Sequence, residues 1–160
     1  MLAYRLQSFD TPPVLIDCPA PAPATGEVQI AVGACGLNFA DTLMIRGKYQ
    51  EMPAPPMTLG MEIAGTITAL GDGVTGLAVG DRVAAYAGHG GMAEIACAPA
   101  ARCLKIPESM RFEQAAAFQI TYGSAHLALV HRARLAARET VLVLGAAGGA
   151  GLTAVEVAKA

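Results

Sequence analysis

The chain has 160 residues and a net charge of −2; 54% of its residues are apolar, 15% charged and 5% aromatic. This length suffices for one ordinary domain with a hydrophobic core, and the apolar content excludes a disordered, highly charged chain. The balanced charge gives no electrostatic case for nucleic acid or an anionic membrane surface as a partner.

The ends of the chain and its cysteines predict a cytoplasmic protein. Arg5 and Asp10 interrupt the N-terminal segment, which therefore does not resemble a secretory signal. The longest strongly apolar stretch, Val141–Val155, is too short and too rich in glycine for a membrane span. The four cysteines form no CxxC pair, and we expect them to be small buried apolar residues in a reducing compartment.

Residues 1–100 are punctuated by Gly and Pro and predict a compact β-barrel or sandwich. The segment Ala40–Ile45 predicts a short helix, and the prolines of Met52–Met57 predict a loop. Strands are predicted from alternating or β-branched residues at Leu2–Arg5, Glu27–Val32, Glu62–Leu70, the second half of 79–86, and Met92–Cys97.

The pattern becomes helical after Glu108. Ser109 is a candidate N-cap for a helix around Glu113–Phe118, and Ala125–Arg134 predicts a second helix with a basic end. A nucleic-acid-binding role for this basic end is a weak alternative, because no aromatic or flanking basic stripe accompanies it. We place a domain boundary within residues 108–138.

A glycine-rich turn near the C-terminus is the strongest chemical signal. The continuous apolar run of 139–145 predicts a strand buried on both faces, and Leu152–Lys159 predicts a helix. Between them, Ala146-x-Gly148-x-x-Gly151 fits a relaxed dinucleotide-binding turn. A P-loop would need a lysine where Leu152 stands; a turn that merely packs tightly is the structural alternative.

Several motifs in the same order resemble the zinc-free quinone oxidoreductase branch of the medium-chain dehydrogenase/reductase superfamily. The resemblance spans essentially the whole chain and implies a β-rich GroES-like domain (α+β) at 1–120. It also implies the first βα unit of a truncated α/β Rossmann domain at 121–160. The motifs are Gly36–Asp41, Arg46–Gln50, Leu59–Gly65, Val79–Val83, Gly91–Glu94 and Ala146–Gly151.

The resemblance also predicts that no metal is bound. Zinc-dependent relatives place a cysteine where this chain has Asn38 and a histidine where it has Met61, and an amide and a thioether are poor zinc ligands. Hydride must then pass from NADPH to an acceptor that is already electrophilic, such as a quinone or an α,β-unsaturated carbonyl. A haloacrylate or enoyl-type reductase is the alternative within this chemistry.

The site residues that the resemblance implies each have a structural alternative. Asn38 and Asp41 are candidates beside the nicotinamide, or a helix cap and first-turn carboxylate. Tyr49 is a candidate substrate hydrogen-bond donor, or covers a loop, and Glu62 is expected to be a buried, paired carboxylate. The expected cofactor-binding residues are Thr121, Tyr122, Ser124, Ala146, Gly148, Gly149, Ala150 and Gly151.

A second hypothesis treats the 160 residues as a fragment or a non-catalytic GroES-like module that does not bind the cofactor. One strand and one helix cannot build a parallel sheet, so Leu142 and Leu144 would lack neighbouring strands. The carboxylate that distinguishes NADH from NADPH would lie beyond Ala160, so NADH is not excluded. For the full-length protein the resemblance implies a small-molecule substrate and a homodimer.

Overall fold

The computed structural model describes residues 1–160, which fall into two compact units, an N-terminal unit of residues 1–117 and a C-terminal unit of residues 118–160. The division lies within the helical stretch 108–138. The assignment of domains to 1–120 and 121–160 stays a prediction. No helix in the structure is long and apolar enough to cross a bilayer.

The N-terminal unit consists mainly of short strands. The predicted strands at its start, at 27–32, at 62–70 and within 79–86 are confirmed, as is the helix at 40–45. Its strands are β1 (Leu2–Leu6), β2 (Val14–Asp17), β3 (Glu27–Gly36), β4 (Met57–Thr58), β5 (Glu62–Leu70), β6 (Arg82–Tyr86), β7 (Ile95–Pro99) and β8 (Cys103–Lys105), and its helices are α1 (Phe39–Ile45) and α2 (Phe112–Ala116).

The strands form two antiparallel sheets. The smaller has the order β2-β1-β4 and the larger the order β7-β3-β5-β6-β8. The ladder between β3 and β5 runs from Val28 opposite Leu70 to Gly36 opposite Glu62, with two irregularities on the way. This register places the last residue of β3 opposite the first residue of β5. The end of β3 leads directly into α1, and β5 begins after the loop that follows β4.

The two faces of the larger sheet pack against different partners. One face carries the main core, in which Ile63 and Ile67 of β5 lie beside Val83 of β6. Small residues on the other face allow α2 to approach closely. A Cβ at Gly33 would lie 2.3 Å from the Phe112 ring, and one at Gly36 would lie 2.5 Å from the carbonyl oxygen of Ala116.

Arg82 fastens the segment before α2 to the sheet. Its guanidinium donates to the carbonyl oxygens of Pro107 (2.9 Å), Glu108 (2.7 Å) and Met110 (2.7 Å). Its Cζ also lies 4.5 Å from the centre of the Phe112 ring. Ser109 lies in a turn that the Met110 N–H closes on the Pro107 carbonyl oxygen, and α2 begins after Arg111, so the prediction of Ser109 as N-cap was wrong.

We expect Arg82→Lys to lower the free energy of unfolding by about 2 kcal/mol, because one ammonium cannot reproduce three directed bonds and a stacking contact. Urea unfolding followed by circular dichroism measures the change. Arg102→Lys is the matched control, since Arg102 is exposed and hydrogen-bonds to nothing, and it should shift stability by less than about 0.5 kcal/mol. Equal shifts in the two variants would contradict this role of Arg82.

Two further predictions need correction in the N-terminal unit. The strand predicted at Met92–Cys97 begins only at Ile95, because Met92 bridges two other segments: its N–H donates to the Leu59 carbonyl and its carbonyl accepts from Tyr4. The short strands β2, β4 and β8 were missed, since none has a long apolar alternation, and the predicted loop Met52–Met57 ends where β4 begins.

The C-terminal unit is helical. It contains α3 (Gln119–His126), a π-helical turn over Leu127–Arg132, and α4 (Gly149–Lys159). Helix α3 therefore begins before the predicted start at Ala125. The predicted helix at the end of the chain is confirmed and starts three residues earlier, at Gly149.

The segment 139–145 forms no strand, so the prediction of a strand buried on both faces is wrong for this structure. Leu142 is 83% exposed and Leu144 85% exposed. A strand in a parallel sheet needs neighbours to pair its N–H and C=O groups, and no strand lies in the C-terminal unit. Within residues 118–160 these two leucines therefore have no neighbouring strand.

Candidate active site

Asn38 and Asp41 lie at the start of α1, directly after β3 ends at Gly36. The backbone N–H of Asn38 donates to Asp41 Oδ2 at 2.8 Å, and the N–H of Asp41 donates to the Asn38 carbonyl oxygen at 3.0 Å. A carboxylate in the first turn also suits the positive end of a helix. This pair of bonds fixes the backbone of Asn38.

Asp41 also ties α1 to the loop before β5. Its carboxylate is buried, and its Oδ1 accepts the Gly60 N–H at 3.2 Å. Gly60 has φ +96°, and a Cβ there would lie 2.5 Å from the Met92 backbone nitrogen. Because both oxygens of Asp41 bind backbone N–H groups, the geometry favours a positioning role for Asp41 over contact with a substrate.

The side chain of Asn38 points to a buried carboxylate. Its Nδ2 donates to Glu62 Oε1 at 3.0 Å, and Glu62 is buried at the start of β5. The close approach depends on Gly36, where a Cβ would lie 2.7 Å from the same Oε1. The expectation that Glu62 is a buried, paired carboxylate is confirmed, and the amide of Asn38 is one of its partners.

Two large apolar side chains flank Asn38. Leu37 is 80% exposed and Phe39 77% exposed, although neighbouring α1 residues such as Met44 are buried. Exposed apolar groups on both sides of an oriented amide are typical of a surface that contacts a largely apolar ligand. Sequence reasoning missed these two residues, although their position on either side of Asn38 was a usable signal.

Cys35 lies beside this cluster and is not a nucleophile. Burial raises the pKa of its thiol to about 12, with the carboxylates of Asp41 and Glu62 adding to the effect. All four cysteines of the chain are free and half-buried, whereas the sequence predicted buried cysteines.

We expect Cys35 in the native protein to react with a thiol reagent at pH 8 about 1000-fold more slowly than in the urea-unfolded chain, because its thiolate fraction is lower by that factor. Cys103, whose pKa burial raises to about 11, should react about tenfold faster than Cys35. Peptide mapping by mass spectrometry measures both rates. Labelling of native Cys35 as fast as in the unfolded chain would show that its thiol is not protected.

The donor atoms at this site do not fit a zinc ion. The positions that a zinc site would use hold the amide of Asn38 and the thioether of the buried Met61. Neither atom type competes with thiolate or imidazole for Zn²⁺. Asn38 is moreover bound to Glu62. The absence of a metal stays a prediction.

Tyr49 is half-buried in the loop after α1. Burial raises the pKa of the Tyr86 phenol, and Tyr49 and Glu51 raise it further. Tyr86 is the direct partner of Glu62 in the β5–β6 ladder. A contact of Tyr49 with a substrate stays a prediction.

The residues predicted near the nicotinamide connect the two long helices of the C-terminal unit. The carbonyl oxygen of Thr121 accepts the Thr153 hydroxyl at 3.1 Å. The Tyr122 hydroxyl donates to the Glu156 carboxylate, and its ring stacks on Phe118. Ser124 is exposed and joins neither contact. Thr121 and Tyr122 thus hold α3 against α4.

The glycine-rich loop has the geometry of an anion-binding turn. Gly145 has φ +73°, and Gly148 is the N-cap of α4. A Cβ at Gly151 would lie 2.2 Å from the Gly145 carbonyl oxygen, so only glycine permits this turn. No side chain larger than a methyl group stands between Gly145 and Gly151, which leaves the helix N-terminus open to a phosphate group. The residues of this turn fit the pyrophosphate of a dinucleotide.

A sequence profile of the alcohol dehydrogenase GroES-like domain matches residues 24–108, more than half of the chain. The chain belongs to this family. This GroES-like chain is 42% identical to quinone oxidoreductase from Rattus norvegicus over 164 residues, which covers 100% of this chain and 50% of the relative.

Solved structures agree with this membership. The crystal structure of human synaptic vesicle membrane protein VAT-1 homolog-like protein matches with a TM-score of 0.94 at 37% identity, covering 98% of the GroES-like chain and 52% of the neighbour. Quinone oxidoreductase from Thermus thermophilus, also solved in complex with NADPH, matches with a TM-score of 0.87 at 40% identity, covering 99% and 50%.

The GroES-like chain thus spans about half the length of the relatives it matches. The resemblance to the N-terminal half of medium-chain quinone oxidoreductases is confirmed. So is the fold class, a β-rich GroES-like domain followed by the start of a Rossmann domain. Within this chain the Rossmann start contributes its turn and helix but no paired strand.

Proposed function

We propose that this GroES-like protein, in its full-length form, transfers hydride from NADPH to quinones or α,β-unsaturated carbonyls without a metal. The observation that supports the proposal most directly is the amide of Asn38, held by the buried Glu62 and flanked by the exposed Leu37 and Phe39. An oriented neutral donor between apolar groups suits a flat carbonyl acceptor.

The chemical role of Asn38 follows from its two amide hydrogens. An amide nitrogen carries two N–H donors, and one of them binds Glu62. The other can donate to the acceptor oxygen as that oxygen gains negative charge, and a preorganised donor of this kind stabilises the transition state. Asp41 keeps Asn38 in place through its backbone.

A reduced nicotinamide dinucleotide, when bound, supplies the hydride. We assign the backbone of Ala146, Gly148, Gly149, Ala150 and Gly151 to its pyrophosphate, because this turn leads into the N-terminus of α4. We assign Thr121, Tyr122 and Ser124 to the nicotinamide end by resemblance. The NADPH complex of the Thermus thermophilus relative supports NADPH as the cofactor.

The proposal is tested by mixing the full-length protein with NADPH and 1,4-benzoquinone in metal-free buffer and following NADPH consumption. We expect turnover that a zinc chelator does not change. Loss of activity on chelation, with recovery on adding zinc, would overturn metal independence. Replacing NADPH by NADH in the same assay measures the cofactor preference.

The same experiment separates the alternatives. Faster turnover of an enoyl or haloacrylate substrate than of benzoquinone would favour the alternative acceptor class, whose enolate oxygen the same amide would stabilise. The 160-residue chain alone should show no NADPH binding by fluorescence titration, since Leu142 and Leu144 lack the strands that a dinucleotide-binding sheet requires. We further propose a homodimer in the cytoplasm for the full-length protein.

A further inference from the structure

A cavity of about 310 Å³ in the N-terminal unit is lined by Glu51, Tyr86, His89 and Arg102, among others. Its wall includes Tyr86, which is the ladder partner of Glu62, so the two side chains share one face of the sheet. The volume is near the lower limit for a ligand site, which suits one substituent of a substrate better than a complete large molecule.

Arg102 at the wall of this cavity has unused hydrogen-bond donors. It ends the 3₁₀ turn after β7, and its Cζ lies 5.4 Å from the centre of the Tyr86 ring. It is exposed and makes no hydrogen bond or ion pair. The guanidinium of Arg82, by contrast, donates hydrogen bonds to three carbonyl oxygens. A guanidinium placed over an aromatic ring, with its donors available, is suited to a carboxylate.

The other polar groups of the cavity define the charge that a ligand meets. Burial lowers the pKa of His89, which is therefore largely neutral at pH 7 and adds little positive charge. The phenol of Tyr86 is protonated and remains a donor. Glu51 also lines the cavity without pairing with Arg102, so its carboxylate opposes an anion that Arg102 attracts.

We propose that this cavity takes an anionic substituent of the acceptor and that Arg102 is the residue that selects for it. The preferred substrates would then be quinones or enones that carry a carboxylate near the reacting ring. This inference rests on the proposed function and adds the substrate class. Arg102 acts on binding, while Asn38 acts on the reacting oxygen.

The test compares kcat/KM of the full-length protein for a neutral benzoquinone and for a benzoquinone with a carboxymethyl group. We expect Arg102→Gln to lower the value for the carboxylated quinone about tenfold, mainly through KM, and to leave the neutral quinone within twofold. Arg102→Lys should lie between, because it keeps the charge but loses the planar fork.

Two control variants are expected to give results different from Arg102→Gln. Arg111→Gln removes the same charge from an exposed arginine paired with Glu113, and it should change neither substrate. Glu51→Gln removes the opposing carboxylate and should raise kcat/KM for the carboxylated quinone severalfold.

An equal effect of Arg102→Gln on both quinones, or no effect on either, would overturn the selectivity role while leaving the proposed function intact. If the wild-type protein reduces neither quinone, the proposed function fails and the inference falls with it.

Discussion

Replacing Asn38 by alanine is expected to lower kcat of the full-length protein about 100-fold with little change in KM. The loss corresponds to removing one preorganised donor to an oxygen that becomes charged only in the transition state. Because the bond to Glu62 also disappears, circular dichroism should show that the variant is folded before its NADPH consumption with benzoquinone is measured.

Thr42→Ala is the matched control for this result. Thr42 lies on the same helix α1, and its hydroxyl donates only to the Phe39 carbonyl one turn earlier. Its removal should change kcat by less than twofold. If both variants lost activity equally, the effect would come from α1 as a whole, and Asn38 would have no specific role.

Replacing Gly60 by alanine is expected to lower the free energy of unfolding by about 4 kcal/mol. The new Cβ would meet the Met92 backbone nitrogen at 2.5 Å and the Cys35 sulfur at 2.8 Å. Backbone cannot move aside as a flexible side chain does, so the loop must shift and its bond to Asp41 weakens. Urea unfolding measures the loss.

Gly73→Ala separates this steric effect from backbone strain. Gly60 and Gly73 both have positive φ, +96° and +78°, but a Cβ at Gly73 meets nothing within 4 Å. We expect the control to cost about 1 kcal/mol, which is the strain that the two sites share. Similar losses at both sites would show that the crowding at Gly60 is relieved without cost.

The substitutions at Asn38 and Gly60 test different roles within the same site. Asn38 is the group that acts on a substrate in our proposal, whereas Gly60 and Asp41 only hold the start of α1 against the loop before β5. A Gly60 variant that stays folded should therefore lose activity through displacement of Asn38.

Local patterns in the sequence were sufficient for much of the N-terminal unit. The β-branched run of β5 and the glycine turns around it predict a strand wherever they occur, since their preferences act over a few residues. The Asn38–Asp41 spacing likewise predicts the start of α1, because a cap and its first turn are neighbours in the chain. The turn at Gly148–Gly151 is likewise predicted from residues that are neighbours in the chain.

Only the tertiary structure decided which distant groups meet. Glu62 is paired with the Asn38 amide because the β3–β5 ladder ends there, and Arg82 binds carbonyl oxygens before α2 because β6 lies beside that segment. The run at 139–145 has the composition of a buried strand and yet is exposed, since a strand exists only with partners for its backbone groups. By itself the sequence determined the longer strands and the start of α1, the candidate amide and the family. Pairing across the sheet decided what each side chain can do.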